Sequence, residues 1–214
     1  MVRLIVLLIG YAFGLFQTSY IYGRLHGIDI RKTGSGNAGT TNALRTLGKK
    51  AGIIVMIGDI VKCILAVVVV YFLFGRKQPE IDYLLRVYTG FGAILGHNFP
   101  FYMGFKGGKG VASMAGVINT ISLPITIIGN ISFFSTIAIT HYVSLASLIV
   151  AAEFLIGTII QGQLGMFHMN QAHLIEMYIV VGAIVGLVVF QHRGNIHRLL
   201  TNTERKTYIF KKNS

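Results

Sequence analysis

Two lysines framed by glycines form the segment of this sequence with the clearest chemical potential. Phe105–Gly110 reads FKGGKG, and an apolar stretch that predicts a helix begins directly after it. Backbone N–H groups at a helix start, together with an ammonium group, are suited to phosphate binding. The segment is not a Walker A loop, because GKG stands where that motif has GK followed by Ser or Thr. We predict phosphate binding by Lys106, Gly107, Gly108 and Lys109; the alternative is a flexible loop whose lysines only set membrane topology.

A second polar segment, Gly27–Lys50, is also rich in glycine and contains GSGNAG, a match to GxGxxG. A dinucleotide-binding fold is disfavoured, because that motif needs a βαβ unit and this segment follows a membrane span. Its glycines would still let backbone N–H groups converge on an anion, with added hydrogen bonds from Ser35, Asn37, Thr41 and Asn42. A plain turn-rich loop explains this segment equally well.

The third polar segment, Phe190–Lys206, follows the last apolar run. His192, Asn195 and Arg198 recur in it every three residues, which places them on one face of a predicted helix. Taken alone, this pattern is typical of an ordinary amphipathic helix.

The composition is that of a membrane protein. Hydrophobic residues make up 53% of the 214 residues, charged residues only 12%, and the mean hydropathy is +0.66, far from a soluble globular domain. The 19 Lys and Arg outnumber the 7 Asp and Glu, which in a soluble protein would suggest nucleic acid. Here the basic residues stand in short loops between apolar runs, so we expect membrane lipids and phosphorylated substrates as partners, and no nucleic acid.

The apolar runs predict the topology, since a spanning helix needs roughly 20 mostly apolar residues. The charge-free stretch Val111–Thr140 is too long for one span and short for two, with Pro124 and Gly129 as natural break points. Two helices there give seven spans and put 14 of the 19 basic residues on one face. We predict one all-α, polytopic membrane domain covering residues 1–214, with the N-terminus outside and the polar loops and C-terminus cytoplasmic. The other candidate spans are Val2–Tyr22, Ala51–Phe74, Tyr83–Gly96, Ser144–Ile160 and Glu176–Phe190.

Polar groups and glycines inside the spans suggest packing roles. Asp59 and Lys62 are three residues apart on one helix face, where each neutralises the other. Glu153 is either an interior hydrogen-bonding group or a protonated carboxyl. Three glycine pairs would let helices approach closely, although chance explains each pair nearly as well: Gly10/Gly14, Gly92/Gly96 and Gly182/Gly186.

Four segments now point to a family. GSGNAGTTN, HNFPFYMGFKGGKGVA, YVSLAS and HRGNIHRLL, in this order between hydrophobic spans, closely resemble the bacterial acyl-phosphate-dependent glycerol-3-phosphate acyltransferases. The resemblance covers roughly Gly10 to Lys206. It implies an enzyme of the bacterial inner (plasma) membrane that transfers a fatty acyl group from acyl phosphate to the 1-hydroxyl of glycerol 3-phosphate, giving lysophosphatidate and phosphate. The residues that it places around a cytoplasmic pocket are Ser35, Asn37, Arg45, Gly108, Lys109, Ser147, His192 and Asn195.

Within this set we assign catalysis to Lys109, Ser147, His192 and Asn195. We assign substrate or phosphate binding to Ser35, Asn37, Arg45, Lys106, Gly107 and Gly108. Several positions depart from the family pattern: His141 stands where Arg is common, Gly194 replaces a usual acidic residue, and Thr40 and Ser113 are milder changes.

The implied reaction fits these residue types. An acyl phosphate is already activated, so no covalent nucleophile is required, and the site must hold phosphate groups and align a hydroxyl. The proton acceptor is either His192 or the phosphate of glycerol 3-phosphate itself. No cofactor or metal is expected, because Cys63 is the single cysteine and no HExxH motif occurs.

Two other functions share the hydrophobic spans and basic loops. A membrane transporter of a phosphorylated anion predicts internal repeats and ionisable groups near the bilayer midplane, and we find no repeat in the sequence. A noncatalytic scaffold for anionic lipids explains the positive charge but not the clustered glycines and asparagines. The enzyme therefore remains the leading interpretation.

Overall fold

Every regular element of the computed structural model, which describes residues Met1–Tyr208, is helical. The predicted all-α class is therefore confirmed. Lys211 and Lys212, two of the basic residues assigned to the cytoplasmic face, lie outside the described residues. The α-helices of the described chain are α1 (Val2–Gly14), α2 (Thr18–Leu25), α3 (Thr40–Leu73), α4 (Asp82–Asn98), α5 (Val111–Ile121), α6 (Leu123–Thr140), α7 (Val143–Gln163), α8 (Gln171–Gln191) and α9 (Arg193–Leu200).

The protein is an integral membrane protein, as predicted. Five helical stretches within residues 1–208 are long and apolar enough to cross a membrane, and α5 is a shorter apolar helix. Leu8, Ile57, Ile131 and Ile160 on these stretches are all more than half exposed, which suits contact with lipid rather than water. The number of spans, seven, stays a prediction.

The predicted first span is not one continuous helix, and this correction matters for the site. The helical stretch is interrupted at residues 15–17, between α1 and α2. A break at membrane depth frees backbone carbonyl groups, which must find donors inside the protein. The Leu15 carbonyl oxygen accepts from the Tyr102 hydroxyl at 2.6 Å, and the Phe16 carbonyl oxygen accepts from Lys62 Nζ at 2.9 Å. Both donors are distant in sequence, so the apolar run alone could not predict the break.

Glycine faces hold α1 against α4. A Cβ atom on any of four glycines would lie 2.0–2.3 Å from a carbonyl oxygen of the facing helix, closer than side chains allow. Gly182 and Gly186 have no such neighbour within 4 Å, so the close-packing interpretation of that third pair is wrong. The tightly packed pairs are Gly10/Gly14 on α1 and Gly92/Gly96 on α4.

Two further helix breaks shape the bundle. At Gly48, inside α3, φ is 88°, a left-handed conformation that glycine adopts without strain. The long stretch Val111–Thr140 divides into α5 and α6 at Ser122, whose hydroxyl caps the backbone N–H of Ile125 at 3.3 Å. Pro124 lies in the first turn of α6, so its prediction as a break point is confirmed, whereas Gly129 lies in the helix interior.

Two of the polar groups predicted inside the spans have partners on the same or a neighbouring helix. Lys62 Nζ lies 2.9 Å from Asp59 Oδ1, which confirms the predicted mutual neutralisation. Glu153 on α7 accepts a hydrogen bond of 2.5 Å from the hydroxyl of Ser132 on α6. This contact gives Glu153 an interior hydrogen-bonding role between two helices.

Candidate active site

Six helix ends meet at one end of the bundle and enclose a cavity. Because the helices from α3 to α8 alternate in direction, the starts of α3, α5 and α7 lie beside the ends of α4, α6 and α8. The cavity has a volume of about 1130 Å³ and is lined from all these ends. The ten residues predicted from the sequence all lie in its lining, although their individual roles stay predictions: Ser35, Asn37, Arg45, Lys106, Gly107, Gly108, Lys109, Ser147, His192 and Asn195.

The segment Phe105–Gly110, predicted from the sequence to bind phosphate and hereafter called the phosphate loop, is hydrogen-bonded to the end of α4. The Gly107 N–H donates to the Asn98 carbonyl oxygen at 3.0 Å, and the Gly108 N–H donates to the His97 carbonyl oxygen at 3.1 Å. A Cβ atom on Gly107 would lie 2.0 Å from that His97 oxygen. These glycines are thus required for close packing, and their amides are already bonded within the protein. Any direct phosphate contact must come from neighbouring groups.

The first turn of α5 supplies such groups. Its first backbone bond runs from the Met114 N–H to the Gly110 carbonyl oxygen at 2.7 Å, so the amides before Met114 have no acceptor within the helix. Lys109 precedes this turn and is partly buried, whereas Lys106 is exposed. The geometry therefore favours Lys109 over Lys106 as the cation that accompanies these N–H groups.

Asn42 organises the glycine-rich segment before α3. Its side-chain oxygen accepts from the Ser35 N–H at 2.9 Å, and its amide nitrogen donates to the carbonyl oxygens of Ile30 and Thr33, both at 3.0 Å. The Ser35 side chain is left exposed at the cavity wall. Asn42 itself is buried, so it shapes the segment that presents Ser35.

A chain of polar contacts crosses the cavity from the phosphate loop to the segment after α9. Lys109 Nζ donates to the side-chain oxygen of Asn195, and the Asn195 amide donates to Glu204 Oε1 at 2.6 Å. Glu204 also accepts from the Ser144 hydroxyl at 2.9 Å and from Arg198 Nε at 2.7 Å. The carboxylate therefore joins α7 to α9 and faces the cationic groups of the site.

Glu204 is a site residue that the sequence motifs do not predict. Its partner Ser144 is 60 residues away along the chain, so local spacing gave no sign of the contact. One signal was available, because Glu204 is the only acidic residue after Glu176, in a segment rich in Lys and Arg. A lone carboxylate in such a segment is a candidate partner for the cations around it.

The electrostatics of the cavity favour a charged lysine and a neutral histidine near pH 7. Burial lowers the pKa of Lys109 to about 8, with Arg198 and Arg45 also lowering it and Glu204 opposing them. Burial, followed by the charge of Lys109, lowers the pKa of His192 to about 4. Burial alone would raise the pKa of Glu204, but hydrogen bonds from Asn195, Arg198 and Ser144 leave it below its ordinary value.

The contact of Nδ1 fixes the tautomer of the neutral His192 ring. Nδ1 lies 2.8 Å from the Val188 carbonyl oxygen, which only accepts, so Nδ1 carries the proton and Nε2 the lone pair. Ser147 is held differently, because its hydroxyl donates to the Val143 carbonyl oxygen in its own helix at 2.8 Å. His192 can therefore accept a proton or hydrogen bond at Nε2, whereas Ser147 must rotate before it can donate into the cavity.

Arg45 is held by the segment that follows α9. One Nη atom donates to the Thr207 hydroxyl at 2.5 Å and to the Arg205 carbonyl oxygen at 3.1 Å. The Thr207 N–H in turn donates to the His141 carbonyl oxygen at 2.8 Å. We call residues 203–208 the C-terminal segment; it runs along one side of the cavity and ties α3 to the α6–α7 junction.

Away from these charges the cavity continues as an apolar arm between α5, α6 and α7. Its lining includes Ile118, Ile125, Phe133, Phe134 and Val150. Within residues 1–208 no group of three or more His, Cys, Asp or Glu side chains is placed to hold a metal ion. The cavity thus joins a cationic end to a hydrophobic one.

Fold and cavity together define a class: integral membrane proteins whose site lies at one end of the helix bundle and combines basic side chains with an apolar arm. A family model described as glycerol-3-phosphate acyltransferase matches residues 4–202. The chain therefore belongs to the glycerol-3-phosphate acyltransferase family.

Relatives and solved structures agree with this assignment. A glycerol-3-phosphate acyltransferase of Clostridioides difficile (strain 630) is 38% identical over 206 residues, covering 95% of this chain and 94% of the relative. Glycerol-3-phosphate acyltransferase 2 of Bacillus cereus (strain ATCC 10987) is 36% identical over 212 residues, with coverages of 97% and 96%. The crystal structure of PlsY (YgiH), an integral membrane glycerol 3-phosphate acyltransferase, in its glycerol 3-phosphate form has a TM-score of 0.83 at 30% identity, covering 98% of this chain and 99% of that one. Its lysophosphatidic acid form has a TM-score of 0.81, with coverages of 96% and 95%.

Proposed function

We propose that the protein transfers a fatty acyl group from acyl phosphate to the 1-hydroxyl of glycerol 3-phosphate, giving lysophosphatidate and inorganic phosphate. The observation that carries this proposal is a cavity in which Lys109, Arg45 and Arg198 lie next to an apolar arm. Cations suit the phosphate groups of both substrates, and the arm suits a fatty chain. The glycerol 3-phosphate and lysophosphatidic acid forms of the similar crystal structure support the same substrate and product.

The reaction is a direct displacement at the acyl carbon. The 1-hydroxyl oxygen attacks the carbonyl carbon, the new ester C–O bond forms, and the C–O bond to the phosphate breaks. Lys109 stabilises the charge that grows on the departing phosphate. A unit charge about 4 Å from another gains roughly 4 kcal/mol at an effective dielectric of 20, which is enough to make this lysine decisive.

The hydroxyl proton goes to the phosphate of glycerol 3-phosphate. A histidine with a pKa of about 4 is a weaker base than a phosphate monoester, whose second pKa is about 6. The lone pair on His192 Nε2 is then free to accept a hydrogen bond from the other hydroxyl group of glycerol 3-phosphate, which would orient the substrate. Asn195, fixed between Lys109 and Glu204, holds the lysine in place.

We further propose that the cavity faces the cytoplasm from the bacterial plasma membrane. The basic residues at the cavity end of the bundle support this orientation, because positive residues concentrate in cytoplasmic loops. Glycerol 3-phosphate would then enter from the cytosol, and the acyl donor and product would share the membrane.

The test is an acyl-transfer assay on the purified protein in lipidic mesophase, with labelled glycerol 3-phosphate. Acyl phosphate should support formation of lysophosphatidate, whereas acyl-CoA and acyl-carrier protein should not. Efficient transfer from either thioester would refute the acyl-phosphate specificity. Uptake of glycerol 3-phosphate into proteoliposomes without any acyl transfer would instead favour the transporter.

A further inference from the structure

Lys62 lies inside the helix bundle with an acceptor for each N–H of its ammonium group. Nζ donates to the Phe16 carbonyl oxygen at 2.9 Å, to Asp59 Oδ1 at 2.9 Å and to His97 Nδ1 at 2.8 Å. The acceptors belong to the break between α1 and α2, to α3 and to the last turn of α4. Asp59, Lys62 and His97 are only 1%, 4% and 3% exposed. An ammonium group has three donors, so this buried cation is both neutralised and fully bonded.

The bond from Lys62 sets the tautomer of His97. Because an ammonium group only donates, Nδ1 must accept, and the neutral ring carries its proton on Nε2. The Nε2 side of the ring lies against Gly108, where a Cβ atom would come within 2.0 Å of Nε2. The imidazole is therefore held between Lys62 and the backbone of the phosphate loop.

The backbone of His97 also supports this loop. Its carbonyl oxygen accepts from the Gly108 N–H at 3.1 Å and from Gln17 Nε2 at 2.9 Å. One residue thus meets Gly108 with both its ring and its carbonyl group. The residue directly after Gly108 is Lys109, whose ammonium group contacts Asn195.

We propose that Asp59, Lys62 and His97 form a positioning network that sets the phosphate loop, and through it Lys109, for substrate binding. Lys62 fixes the ring of His97, the ring and carbonyl of His97 fix Gly108, and Gly108 fixes the residue that follows it. None of the three needs to touch the substrate. The inference rests on the proposed function, because it assumes that the loop binds a substrate phosphate.

A second ion pair provides a matched control within the same bundle. Arg86 Nε donates to Asp82 Oδ2 at 2.9 Å, and Arg86 Nη1 donates to the Thr120 carbonyl oxygen at 2.6 Å. This pair also joins helices, but it lies 11 residues before His97, or roughly 17 Å along α4. Its loss should lower stability without changing the phosphate loop.

The experiment compares the double variant Asp59→Asn/Lys62→Met with Asp82→Asn/Arg86→Met. Each removes both charges together, so neither leaves a lone buried charge. The measurements are Tm, kcat, KM for glycerol 3-phosphate, and Kd for inorganic phosphate. The Lys62 pair variant should raise KM and the phosphate Kd about tenfold, with a smaller change in kcat, because it weakens positioning of a binding group. The control pair should lower Tm and leave KM and Kd near wild type.

Two single variants serve if the double variant does not fold. Lys62→Arg keeps a cation for Asp59 and His97 and should retain most of the substrate affinity. His97→Phe keeps an aromatic ring but no acceptor for Lys62, and it should raise KM and the phosphate Kd.

The outcomes separate this inference from the proposed function. Unchanged KM and phosphate Kd in Asp59→Asn/Lys62→Met or in His97→Phe, with an active wild-type enzyme, would overturn the network. Equal increases in KM for both ion-pair variants would do the same, since they would indicate a general loss of structure. If the wild-type protein transfers no acyl group, the proposed function fails, and the phosphate Kd alone then decides the network.

Discussion

Several electrostatic features of the candidate site involve Lys109. Its ammonium group contacts Asn195 and has a lowered pKa. In the sequence, Lys109 directly follows two glycines whose backbone amides are already hydrogen-bonded. A cation that is partly withdrawn from water interacts more strongly with a phosphate than an exposed one does. Its environment therefore distinguishes it from the lysines that only contribute to topology.

We predict that Lys109→Gln folds normally but that its kcat/KM falls by about tenfold to a hundredfold or more. The reason is that the substitution removes the cation next to the departing phosphate. The matched control is Lys50→Gln, which makes the same charge change at an exposed lysine outside the cavity lining. Initial rates per folded protein measure both. Near wild-type kcat/KM in Lys109→Gln would show that this lysine only anchors topology.

The lowered pKa of Lys109 predicts a pH limit to substrate binding. A lysine loses its charge as the pH rises through its pKa, so affinity for glycerol 3-phosphate should be full below about pH 8 and fall above it. KM measured against pH should rise in the alkaline range for the wild type but not for Lys109→Gln. His192 has a pKa of about 4, so any limb near pH 6 should come from the substrate phosphate, whose second pKa is about 6. Loss of that limb in His192→Asn would show instead that His192 titrates in the working range.

At the scale of elements, the packing of α1 on α4 has the least tolerance for change. A Cβ atom on Gly92 would meet the Leu7 carbonyl oxygen at 2.0 Å, so one helix must move. We predict that Gly92→Ala destabilises the fold by about 1–3 kcal/mol, the usual range for overpacking. Gly186→Ala, which meets nothing within 4 Å, should leave Tm unchanged. Equal Tm values for the two variants would contradict the packing account.

The negative charge of Glu204 should stabilise the position of the C-terminal segment. Glu204→Gln weakens the bonds from Ser144, Asn195 and Arg198, and we expect a loss of about 1–3 kcal/mol of stability. Because the folded pKa lies below the ordinary 4.5, this stabilisation is present above pH 4.5 and is lost as the pH falls through the folded value. The difference in Tm between wild type and Glu204→Gln should therefore be smaller at pH 4 than at pH 7. Glu80→Gln, at an exposed carboxylate, is the control and should match wild type at both.

The elements show what could and could not be predicted from the sequence. Apolar runs and Pro124 predict most helices, because lipid demands long hydrophobic stretches with all backbone groups bonded. The break at residues 15–17 was not predictable, since the donors that permit it, Lys62 and Tyr102, come from other parts of the chain. The motifs likewise predict which residues share a cavity, but not Glu204, whose position depends on the path taken after α9. Local sequence patterns predict the helices. Polar contacts between residues distant in sequence determine where a helix is interrupted and which residues complete the cavity wall.

At the scale of the whole molecule, the seven-span topology predicts that the polar loops around the cavity lie on one side of the membrane. In a Cys63→Ala background, single cysteines at Ser35, Lys106 and Thr203 should all react with a membrane-impermeant thiol reagent from the cytoplasmic side. Cysteines at Gln78 and His168, which lie between α3 and α4 and between α7 and α8, should react only from the opposite side. Labelling of Thr203 on the side of Gln78 would reject the seven-span arrangement.

The C-terminal segment has a consequence for how the enzyme is made. It follows all the membrane-spanning helices found within residues 1–208, yet it supplies Glu204 and the Thr207 contact that holds Arg45. During synthesis the helices enter the bilayer in order, and the site stays unfinished until this segment has left the ribosome. Membrane insertion and completion of the site are therefore separate events in time, so a chain released after α9 would be a fully inserted membrane protein without a finished active site.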